Sequence, residues 1–515
     1  MKQVKEGNPV RVARTNLWIL TIILLAIILH LAWFAYTHYT EEDAFITFRY
    51  ARQIANGNGF VYNAGDKIYG TTTPLLTLLL VPWFKIIQNI VPVATAFDLL
   101  AAIGAIYFVW QTLRFLEKPF ALQILPIVAL AVSPKLIGME MQGMETPLAL
   151  FFMAASWYTF VRGKTIWTGI LLGLLLWTRI DLFLWPFVLC LLELFSNPRR
   201  AIQMALIAGC IYVPWLAFAT FYFGSPIPFT IIAKWVAYVQ NNHAPLTSHL
   251  SIVLNYLSPF DLAQGMSYLA PVLALISLGP AVWKAFESFN ERTIAILSLF
   301  ALLEILILVL TRATFFTRYF VPVLLVILIL LGLELGTIWE HLESRRNLKI
   351  GYIAVLSLAL IAALVLGFQR ANEYKDKQFY RQDESLKAIG LWLNQNAPVD
   401  ATVLLEPLGY VGYYSDRTMI DEVGLVTPRI VDLKRQNVDA DYYFSIFQPD
   451  YYVLHCDDSL RLQGLAGKPN TGFARQYRLI QTYNPLQFDP LDQRSISTNA
   501  LPRNSCYQIW QRINQ

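Results

Sequence analysis

Residues 40–52 read Thr-Glu-Glu-Asp-Ala-Phe-Ile-Thr-Phe-Arg-Tyr-Ala-Arg, and residues 56–63 read Asn-Gly-Asn-Gly-Phe-Val-Tyr-Asn. This polar stretch follows a long apolar run, so Glu42 and Asp43 lie where a bilayer would end and water begin. Carboxylates at the start of a helix interact favourably with its free backbone N–H groups and its dipole. The pair could cap a helix or perform acid/base chemistry, and the local pattern leaves both roles open.

The composition indicates a membrane protein. Of 515 residues, 56% are hydrophobic and 15% are charged, and the mean hydropathy is +0.46, which is typical of a chain that lies mostly in lipid. Apolar runs recur between Leu17 and Phe368. At roughly 20 apolar residues per span, they predict a polytopic α-helical module at residues 1–369 with about 10–12 transmembrane helices. An outer loop is predicted at residues 38–74, and a soluble α/β domain at 370–515.

The distribution of Lys and Arg predicts the orientation. The first apolar run, residues 17–36, lacks a small-residue cleavage site after it, so we interpret it as a retained helix. The positive-inside rule then predicts that the N-terminus lies in the cytoplasm and that both the first loop and the tail lie on the outer side of the membrane. The residues that carry this prediction are Lys2, Lys5, Arg11, Arg14, Arg345, Arg346 and Lys349. Because inner-loop cations account for the net charge of +5, nucleic-acid binding is not indicated.

Two features leave alternatives open. Three apolar runs, at residues 75–90, 93–113 and 120–132, occupy a region where the orientation requires an even number of spans. One of them is therefore expected to be short or re-entrant. Of the four cysteines, Cys190 and Cys210 lie in apolar runs and are expected in the core, whereas Cys456 and Cys506 lie in the tail and could be paired or free.

The tail pattern predicts a helix over residues 383–396, a strand over 402–405, a glycine-punctuated turn region, and a strand over 451–455. Its aromatic clusters, residues 442–444 and 451–452, are expected to pack in a core rather than to stack on sugars.

Charged groups within apolar sequence cost about 2.5–3.5 kcal/mol at a helix centre, so each calls for a partner or a cavity. Glu145 precedes an apolar run and could be a helix cap or a ligand group. Arg179 and Asp181 interrupt a run at residues 166–194 and could form an ion pair, line a pocket, or do both. Arg318, followed by Tyr319, lies at the outer end of a late helix and could snorkel or bind a lipid phosphate.

Taken together, these segments resemble a known superfamily. Residues 42–52, 56–65 and 69–75 resemble the first outer loop of bacterial GT-C membrane glycosyltransferases, and the likeness continues through residues 143–146, 178–181, 409–417 and 421–425. Within the superfamily, the chain is most similar to the branch that contains mycobacterial-type arabinofuranosyltransferases. The likeness covers nearly the whole chain, but its motifs specify no particular sugar.

The resemblance implies an inverting enzyme that transfers a sugar from a polyprenyl-phosphate donor to a hydroxyl of a glycan, lipid or protein acceptor. It implies that a first-loop carboxylate is the general base. The family pattern commonly has Asp at both positions, so Glu42 departs from it. Asp43 is favoured, and the alternative makes Glu42 the base and Asp43 its orienting partner.

The resemblance also implies a substrate-binding set. A cation should stabilise the phosphate of the leaving group, with Arg318 as the first candidate and Arg179 and Lys234 as further ones. Arg49 could brace the carboxylates, contact the donor, or lie at the membrane interface. The remaining candidates are Tyr69, Thr72, Glu145, Asp181 and Tyr319. No cofactor is certain. A divalent cation (Mg, Mn or Ca) on Glu42, Asp43 and Glu145 is left open, and no metal-binding residue is assigned.

Two other classes are compatible with parts of the pattern. A transporter or flippase of lipid-linked or small solutes also places charged residues in broken helices, as at Arg179 and Asp181. However, the chain shows no pair of Gly/Pro-interrupted helices in two matching halves. A catalytically silent scaffold would be favoured by loss of the first-loop carboxylates, and both are present.

Overall fold

The computed structural model describes residues 9–240, 244–257, 292–313, 316–342, 345–465, 471–489 and 501–513. The chain divides into two compact units, each built from segments that are distant in sequence. The first comprises Met1–Tyr36, Thr95–Val213 and His243–Ala371, and the second comprises Thr37–Ala94, Pro214–Asn242 and Asn372–Gln515.

The first unit is helical. Its helices are Pro9–Thr37, Val91–Phe115, Phe120–Val132, Pro134–Glu140, Thr146–Val161, Thr165–Thr178, Leu184–Leu194, Pro198–Phe223, Leu246–Leu257, Arg292–Leu310, Val321–His341 and Arg346–Asp376, with a 3₁₀ turn at Ile180–Phe183. Some of these helices begin or end in the second unit.

Small residues let neighbouring helices of this unit approach closely. Gly169 and Gly173 are spaced one helical turn apart and face Pro198–Phe223. A Cβ added at Gly173 would lie 2.6 Å from the Cβ of Ile211. Such small-residue spacing is typical of helix packing in membranes, where van der Waals contact rather than the hydrophobic effect holds helices together.

Within the described residues, five helices are long and apolar enough to cross a membrane, and a sixth span results if the pair Phe120–Val132 and Pro134–Glu140, bent by 60°, counts as one. The five are Asn16–Thr37, Val91–Phe115, Pro198–Phe223, Val321–His341 and Arg346–Asn396. Five further apolar helices are shorter. The predicted first span, residues 17–36, is therefore confirmed, while the count of about 10–12 stays a prediction because residues 258–291 lie outside the described part of the chain.

The expected short run is the first of the three. Residues 75–90 form the helix Pro74–Leu80 and the 3₁₀ turn Val81–Lys85, which together are too short for a span of hydrocarbon.

The second unit combines the first loop with the tail. The first loop contains the helix Ala44–Ala55, called the first-loop helix below, and Phe229–Lys234 continues into a π-helical turn, Trp235–Val239. The tail contains β1 (Thr402–Leu405), β2 (Thr418–Asp421), β3 (Tyr451–His455), β4 (Tyr477–Tyr483) and β5 (Tyr507–Arg512). Its helical segments are Lys377–Lys387 (π-helical), Ala388–Asn396, Leu408–Ser415 (called the tail helix below), Pro428–Arg435, Ala440–Tyr442 (3₁₀), Tyr443–Phe447, Cys456–Leu462, Phe473–Gln476 and Leu501–Asn504.

The tail strands form one mixed sheet in the order β2-β1-β3-β5-β4. β1 pairs in parallel with β2 and β3, whereas β5 pairs antiparallel with β3 and β4. Leu404 lies opposite both Ile420 and Tyr452. One face packs on a core that includes Tyr443, Phe444, Tyr452, Phe473 and Trp510. The expectation that these aromatic clusters pack is confirmed for residues 443, 444, 451 and 452, which are all buried, whereas Tyr442 is exposed.

The tail predictions are confirmed in part. The two predicted strands are observed at residues 402–405 and 451–455, and the predicted helix ends at Asn396 but begins earlier, as a continuation of Arg346–Asp376. The predicted glycine-punctuated turn region is wrong at Gly409 and Gly412, which lie inside the tail helix, but Gly424 does lie in a turn with positive φ. The two glycines of the tail helix are needed for close approach. A Cβ would collide with the backbone carbonyl of Glu42 at Gly409 and with the hydroxyl of Tyr62 at Gly412.

The open question about the tail cysteines is settled by a disulfide between Cys456 and Cys506, with 5.5 Å between the two Cα atoms. It links the end of β3 to the segment just before β5. Cys190 and Cys210 are free.

Candidate functional site

The first-loop carboxylates have different surroundings. Asp43 occupies the N-cap position of the first-loop helix, but its side chain makes no capping hydrogen bond in the described structure. Glu42 caps another helix instead, because its Oε1 accepts a hydrogen bond from the backbone N–H of Gly409 at the start of the tail helix. The neighbouring Glu41 accepts a hydrogen bond of 2.8 Å from the Tyr39 hydroxyl and lies 3.6 Å from the Lys377 ammonium. Glu41 and Glu42 are thus held in place by defined partners.

The surroundings of Glu42 shift its pKa. Burial, with the charges of Asp43 and Glu406, raises the pKa of Glu42 well above its ordinary value, while Arg381 and the Gly409 N–H act in the opposite direction. For the adjacent Glu41, the effect of burial is outweighed by the charge of Lys377, and its pKa is lowered. Neighbouring carboxylates whose pKa values are shifted in opposite directions are an arrangement that general acid/base chemistry uses.

Arg49 lies in the interior of the second unit and is 2% exposed. Its Nε donates to the carbonyl of Tyr62 at 2.9 Å, its Nη2 donates to the carbonyl of Arg417 at 2.7 Å, and its Nη1 donates to the carbonyl of Gly412. The guanidinium also lies over the Tyr62 ring. Arg49 therefore joins the first loop to the tail, and it occupies neither an exposed helix surface nor a bridge to the carboxylates.

Asn63 and Tyr62 also join the first loop to the tail. The Asn63 amide exchanges two hydrogen bonds with the backbone of Met419 in β2, at 2.9 and 3.0 Å, and thereby extends the edge of the sheet. The Tyr62 hydroxyl donates to the carbonyl of Leu408 at 2.7 Å. First loop and tail therefore share a polar network rather than an apolar contact alone.

Tyr69 is buried against the segment 214–242. Its hydroxyl accepts a hydrogen bond of 2.6 Å from Trp215 Nε1, and its ring stacks on Phe223. Thr72 is half-buried between Thr71 and Thr73. Thr73 stands at the N-cap of Pro74–Leu80 without capping it within the described structure, and its hydroxyl lies 3.3 Å from that of Thr47. Lys234, the last residue of Phe229–Lys234, is half-buried in the same unit.

Within the first unit, the structure brings together four predicted residues. Arg179 forms a bidentate pair with Asp181, with Nε–Oδ1 and Nη2–Oδ2 distances of 3.2 and 2.5 Å. Its Nη1 donates at 3.0 Å to the backbone carbonyl of Arg318, and its guanidinium lies over the Tyr319 ring. Arg179 thus orients the turn that presents Arg318, whose side chain is half-buried beside Phe316.

Glu145 is 3% exposed and lies close enough to Arg179 to interact electrostatically with it. It occupies the N-cap position of Thr146–Val161, yet neither a capping hydrogen bond nor any partner for its Oε2 is found among the described residues. Sequence reasoning missed Asp98, whose Oδ2 accepts a hydrogen bond of 2.7 Å from the Gly143 N–H and fixes the turn before Glu145.

Sequence reasoning also missed the tail groups beside the first-loop carboxylates. Glu406 follows β1, and its charge and that of Arg381 act directly on Glu42. The available signal was the position of Glu406 after a buried strand, since the carboxyl ends of parallel strands carry ligand sites. Arg381 gave no such signal, because it lies in a helical segment that the pattern did not include.

The donor set for a divalent cation is not assembled. No group of three or more His, Cys, Asp or Glu side chains is arranged to hold a metal ion in the part of the chain that the structure describes. Glu42 and Asp43 belong to the second unit and Glu145 to the first.

Comparisons with known proteins identify the fold. Residues 372–510 match a domain of unknown function, DUF8728, and no curated protein matches the chain. ArnT from Cupriavidus metallidurans bound to undecaprenyl phosphate is similar in structure, with a TM-score of 0.62 and 14% identity over 96% of this chain and 97% of that chain. The apo state of the same protein gives 0.60 and 14%, over 86% and 94%.

An archaeal oligosaccharyltransferase shows the same likeness. The apo enzyme from Archaeoglobus fulgidus has a TM-score of 0.57 and 13% identity, over 91% of this chain and 73% of that chain. The chain therefore has the fold of GT-C membrane glycosyltransferases, as the first-loop motifs predicted, with several apolar helices and a small C-terminal sheet domain. This is the fold of a multi-pass membrane protein.

Proposed function

We propose that this chain is an inverting membrane glycosyltransferase that moves a sugar from a polyprenyl-phosphate donor to an acceptor hydroxyl outside the cytoplasmic membrane. The observation that carries the proposal is the first-loop carboxylate pair, Glu42 and Asp43, in a chain with the GT-C fold. The bound undecaprenyl phosphate of the ArnT structure supports a polyprenyl-phosphate donor.

Asp43 is the proposed general base. Glu42 is bound to the Gly409 N–H and departs from the pattern of the resembled family, whereas Asp43 keeps the Asp of that pattern. Asp43 takes the proton of the acceptor hydroxyl as that oxygen bonds to the anomeric carbon. The bond between the anomeric carbon and the donor phosphate oxygen breaks, and polyprenyl phosphate leaves with the electron pair. The alternative, with Glu42 as the base and Asp43 as its orienting partner, is decided by the experiment below.

Arg318 is the proposed partner of the leaving phosphate. Arg179 holds its backbone through the 3.0 Å hydrogen bond to the Arg318 carbonyl while remaining paired with Asp181. A preorganised cation stabilises charge that develops in the transition state without needing to reorganise. In this proposal Arg179 positions Arg318, and Lys234 is a further cation.

Two observations support an extracytoplasmic tail. Disulfides persist in oxidising compartments, and Cys456 and Cys506 are bonded in the tail. The Lys and Arg residues that precede the first and last apolar runs support the same orientation by the positive-inside rule.

The test is sugar transfer by the purified chain in nanodiscs, supplied with a panel of polyprenyl-phosphate sugars. Asp43→Asn should lower kcat by about 10²–10⁴-fold, the usual contribution of a general base. Glu42→Gln should have a smaller effect, and Asp66→Asn, which removes an exposed carboxylate of the same loop, should have none. A larger loss for Glu42→Gln than for Asp43→Asn would reverse the assignment. Full activity of both variants would refute the mechanism.

A further inference from the structure

The strand order of the tail defines one particular crevice. β1 pairs with β2 on one side and with β3 on the other, all in parallel. In open α/β sheets, ligands bind outside the carboxyl ends of the strands at the point where the strand order reverses, which here lies between β1 and β3. Glu406 follows β1 directly, His455 ends β3, and Tyr507 begins β5 opposite His455. These three residues therefore lie at the same end of the sheet. We call the region around them the switch-point crevice.

Three buried polar atoms at this edge make no hydrogen bond of good geometry within the described residues. They are the hydroxyl of the fully buried Tyr507, His455 Nδ1 and Arg381 Nε, and the Arg381 guanidinium lies beside the Tyr507 hydroxyl. The rings of His455 and Tyr507 lie 4.2 Å apart. A buried polar group without a partner costs about 1–3 kcal/mol, so such groups indicate a site that a ligand completes.

The first-loop carboxylate Glu42 lies near this edge of the sheet. Gly409, whose N–H binds Glu42, lies three residues after Glu406. Burial raises the pKa of Tyr507 to about 12, and the charges of Arg381, Glu406 and Glu42 all act on the same hydroxyl. Glu406 is exposed to solvent, so its carboxylate can be reached from the surrounding water.

We propose that the switch-point crevice is the acceptor subsite of this enzyme, in which Glu406 and Tyr507 bind hydroxyl groups of a sugar acceptor beside the proposed base. Arg381 is a positioning residue that holds the carboxylates by its charge. This inference rests on the proposed function and names the acceptor class that the function left open.

The balance of charge favours a neutral, hydroxyl-rich ligand. Acidic side chains outnumber basic ones around Glu406, and burial raises the pKa of Glu42, Glu406 and Glu422, so this edge suits a neutral ligand better than a phosphate. The acidic groups are Glu42, Asp43, Glu406, Glu422, Asp457 and Asp458, and the cations are Arg381, Lys434 and Arg503. Sugar hydroxyls can donate to carboxylates and accept from the phenol and the guanidinium. The donor phosphate is therefore expected elsewhere, as the proposed role of Arg318 requires.

The experiment uses the full chain in nanodiscs with a polyprenyl-phosphate sugar and a panel of octyl glycosides as acceptors. Two rates are measured, transfer to the glycoside and hydrolysis of the donor by water without an acceptor. Glu406→Gln and Tyr507→Phe should each lower kcat/KM for the glycoside by about 10- to 100-fold, with hydrolysis kept within about twofold. Asp432→Asn, which removes an exposed tail carboxylate, should change neither rate.

The pH profile separates a role in the site from a role in folding. Glu406→Gln removes a negative charge near the base and should move the acidic limb of the profile to lower pH, whereas Arg381→Met should move it to higher pH. Equal losses of transfer and hydrolysis with an unmoved limb would show a structural role and overturn the inference. Donor hydrolysis without transfer to any octyl glycoside would also overturn it.

The failures of the two proposals can be told apart. If Asp43→Asn is inactive while Glu406→Gln and Tyr507→Phe transfer at the wild-type rate, the proposed function stands and the acceptor subsite is wrong. If the wild type neither transfers nor hydrolyses any donor, the proposed function itself fails, and this inference fails with it.

Discussion

Arg49→Met should separate the first loop from the tail. The substitution keeps an unbranched apolar side chain but removes all three donor groups that bind the carbonyls of Tyr62, Gly412 and Arg417. These carbonyls are held by a side chain that is 2% exposed, so water cannot readily replace the guanidinium.

The magnitude follows from two opposing effects. Each carbonyl left without a partner costs about 1–3 kcal/mol. Burial lowers the pKa of Arg49, which shows that the guanidinium itself is desolvated, and its removal recovers part of that cost. Breaking a buried charged network typically costs about 3–5 kcal/mol, and we expect a loss in that range. Arg52 is the matched control, because it lies one turn away on the same helix and, from a half-buried position, binds the Tyr413 carbonyl and the exposed Asp416. Exposed pairs contribute about 0–1 kcal/mol.

The measurement is amide hydrogen exchange in the tail helix, with both variants in nanodiscs. If local opening costs 3–5 kcal/mol less, amide exchange becomes roughly 150- to 5,000-fold faster. Arg49→Met should show this acceleration, and Arg52→Met should stay within about fivefold of the wild type. Equal exchange in the two variants would refute the view that the buried guanidinium holds the junction.

Two further predictions concern the tail. The double substitution Cys456→Ser and Cys506→Ser removes a disulfide between residues 50 apart and should destabilise the tail by about 4 kcal/mol. Thermal unfolding measures this loss. The control Cys190→Ser, which removes a free cysteine, should leave the unfolding midpoint unchanged. Burial raises the pKa of Glu422 to about 7, so the folded state binds the proton more tightly and stability should fall as pH rises from about 4.5 to 7, by up to about 3 kcal/mol. Glu422→Gln should flatten that dependence in thermal unfolding at several pH values, whereas an unchanged slope would contradict it. Burial lowers the pKa of His455 to about 4, so this residue makes stability rise with pH. Because it does so equally in the wild type and in Glu422→Gln, its effect cancels when the two are compared.

Local sequence predicts elements whose signal is complete within a few residues. The apolar runs of β1 and β3 have defined ends, and both strands occur where the pattern placed them. β4 was missed because its side chains are mostly exposed and its sequence lacks an apolar run. Gly409 was misread because glycine in a sequence signals a turn, whereas here its lack of a Cβ admits the backbone of Glu42 from 367 residues away. No local pattern contains that contact.

The candidate site shows the same division. Arg179 and Asp181 are two residues apart, and their pairing could be proposed from the sequence, whereas the hydrogen bond to the Arg318 carbonyl joins residues 139 apart and could not. Glu42 and Asp43 were identified as a pair, but their difference arises from Gly409 and from the charges of Glu406 and Arg381, which tertiary folding brings near. Long-range contacts of this kind depend on the fold as a whole.

The junction between first loop and tail bears on how such an enzyme would set its acceptor. Glu42, Arg49 and Asn63 of the loop each bind backbone groups of the tail, at Gly409, Gly412 and Met419. Backbone contacts persist when side chains change, so the tail sequence can vary around the crevice while the carboxylates keep their position. In the proposed enzyme, the first loop would then supply the chemistry, and the tail would supply both its support and the choice of acceptor. If the tail had no part in the site, nothing would require its backbone to hold Glu42 in place, as the Gly409 N–H does.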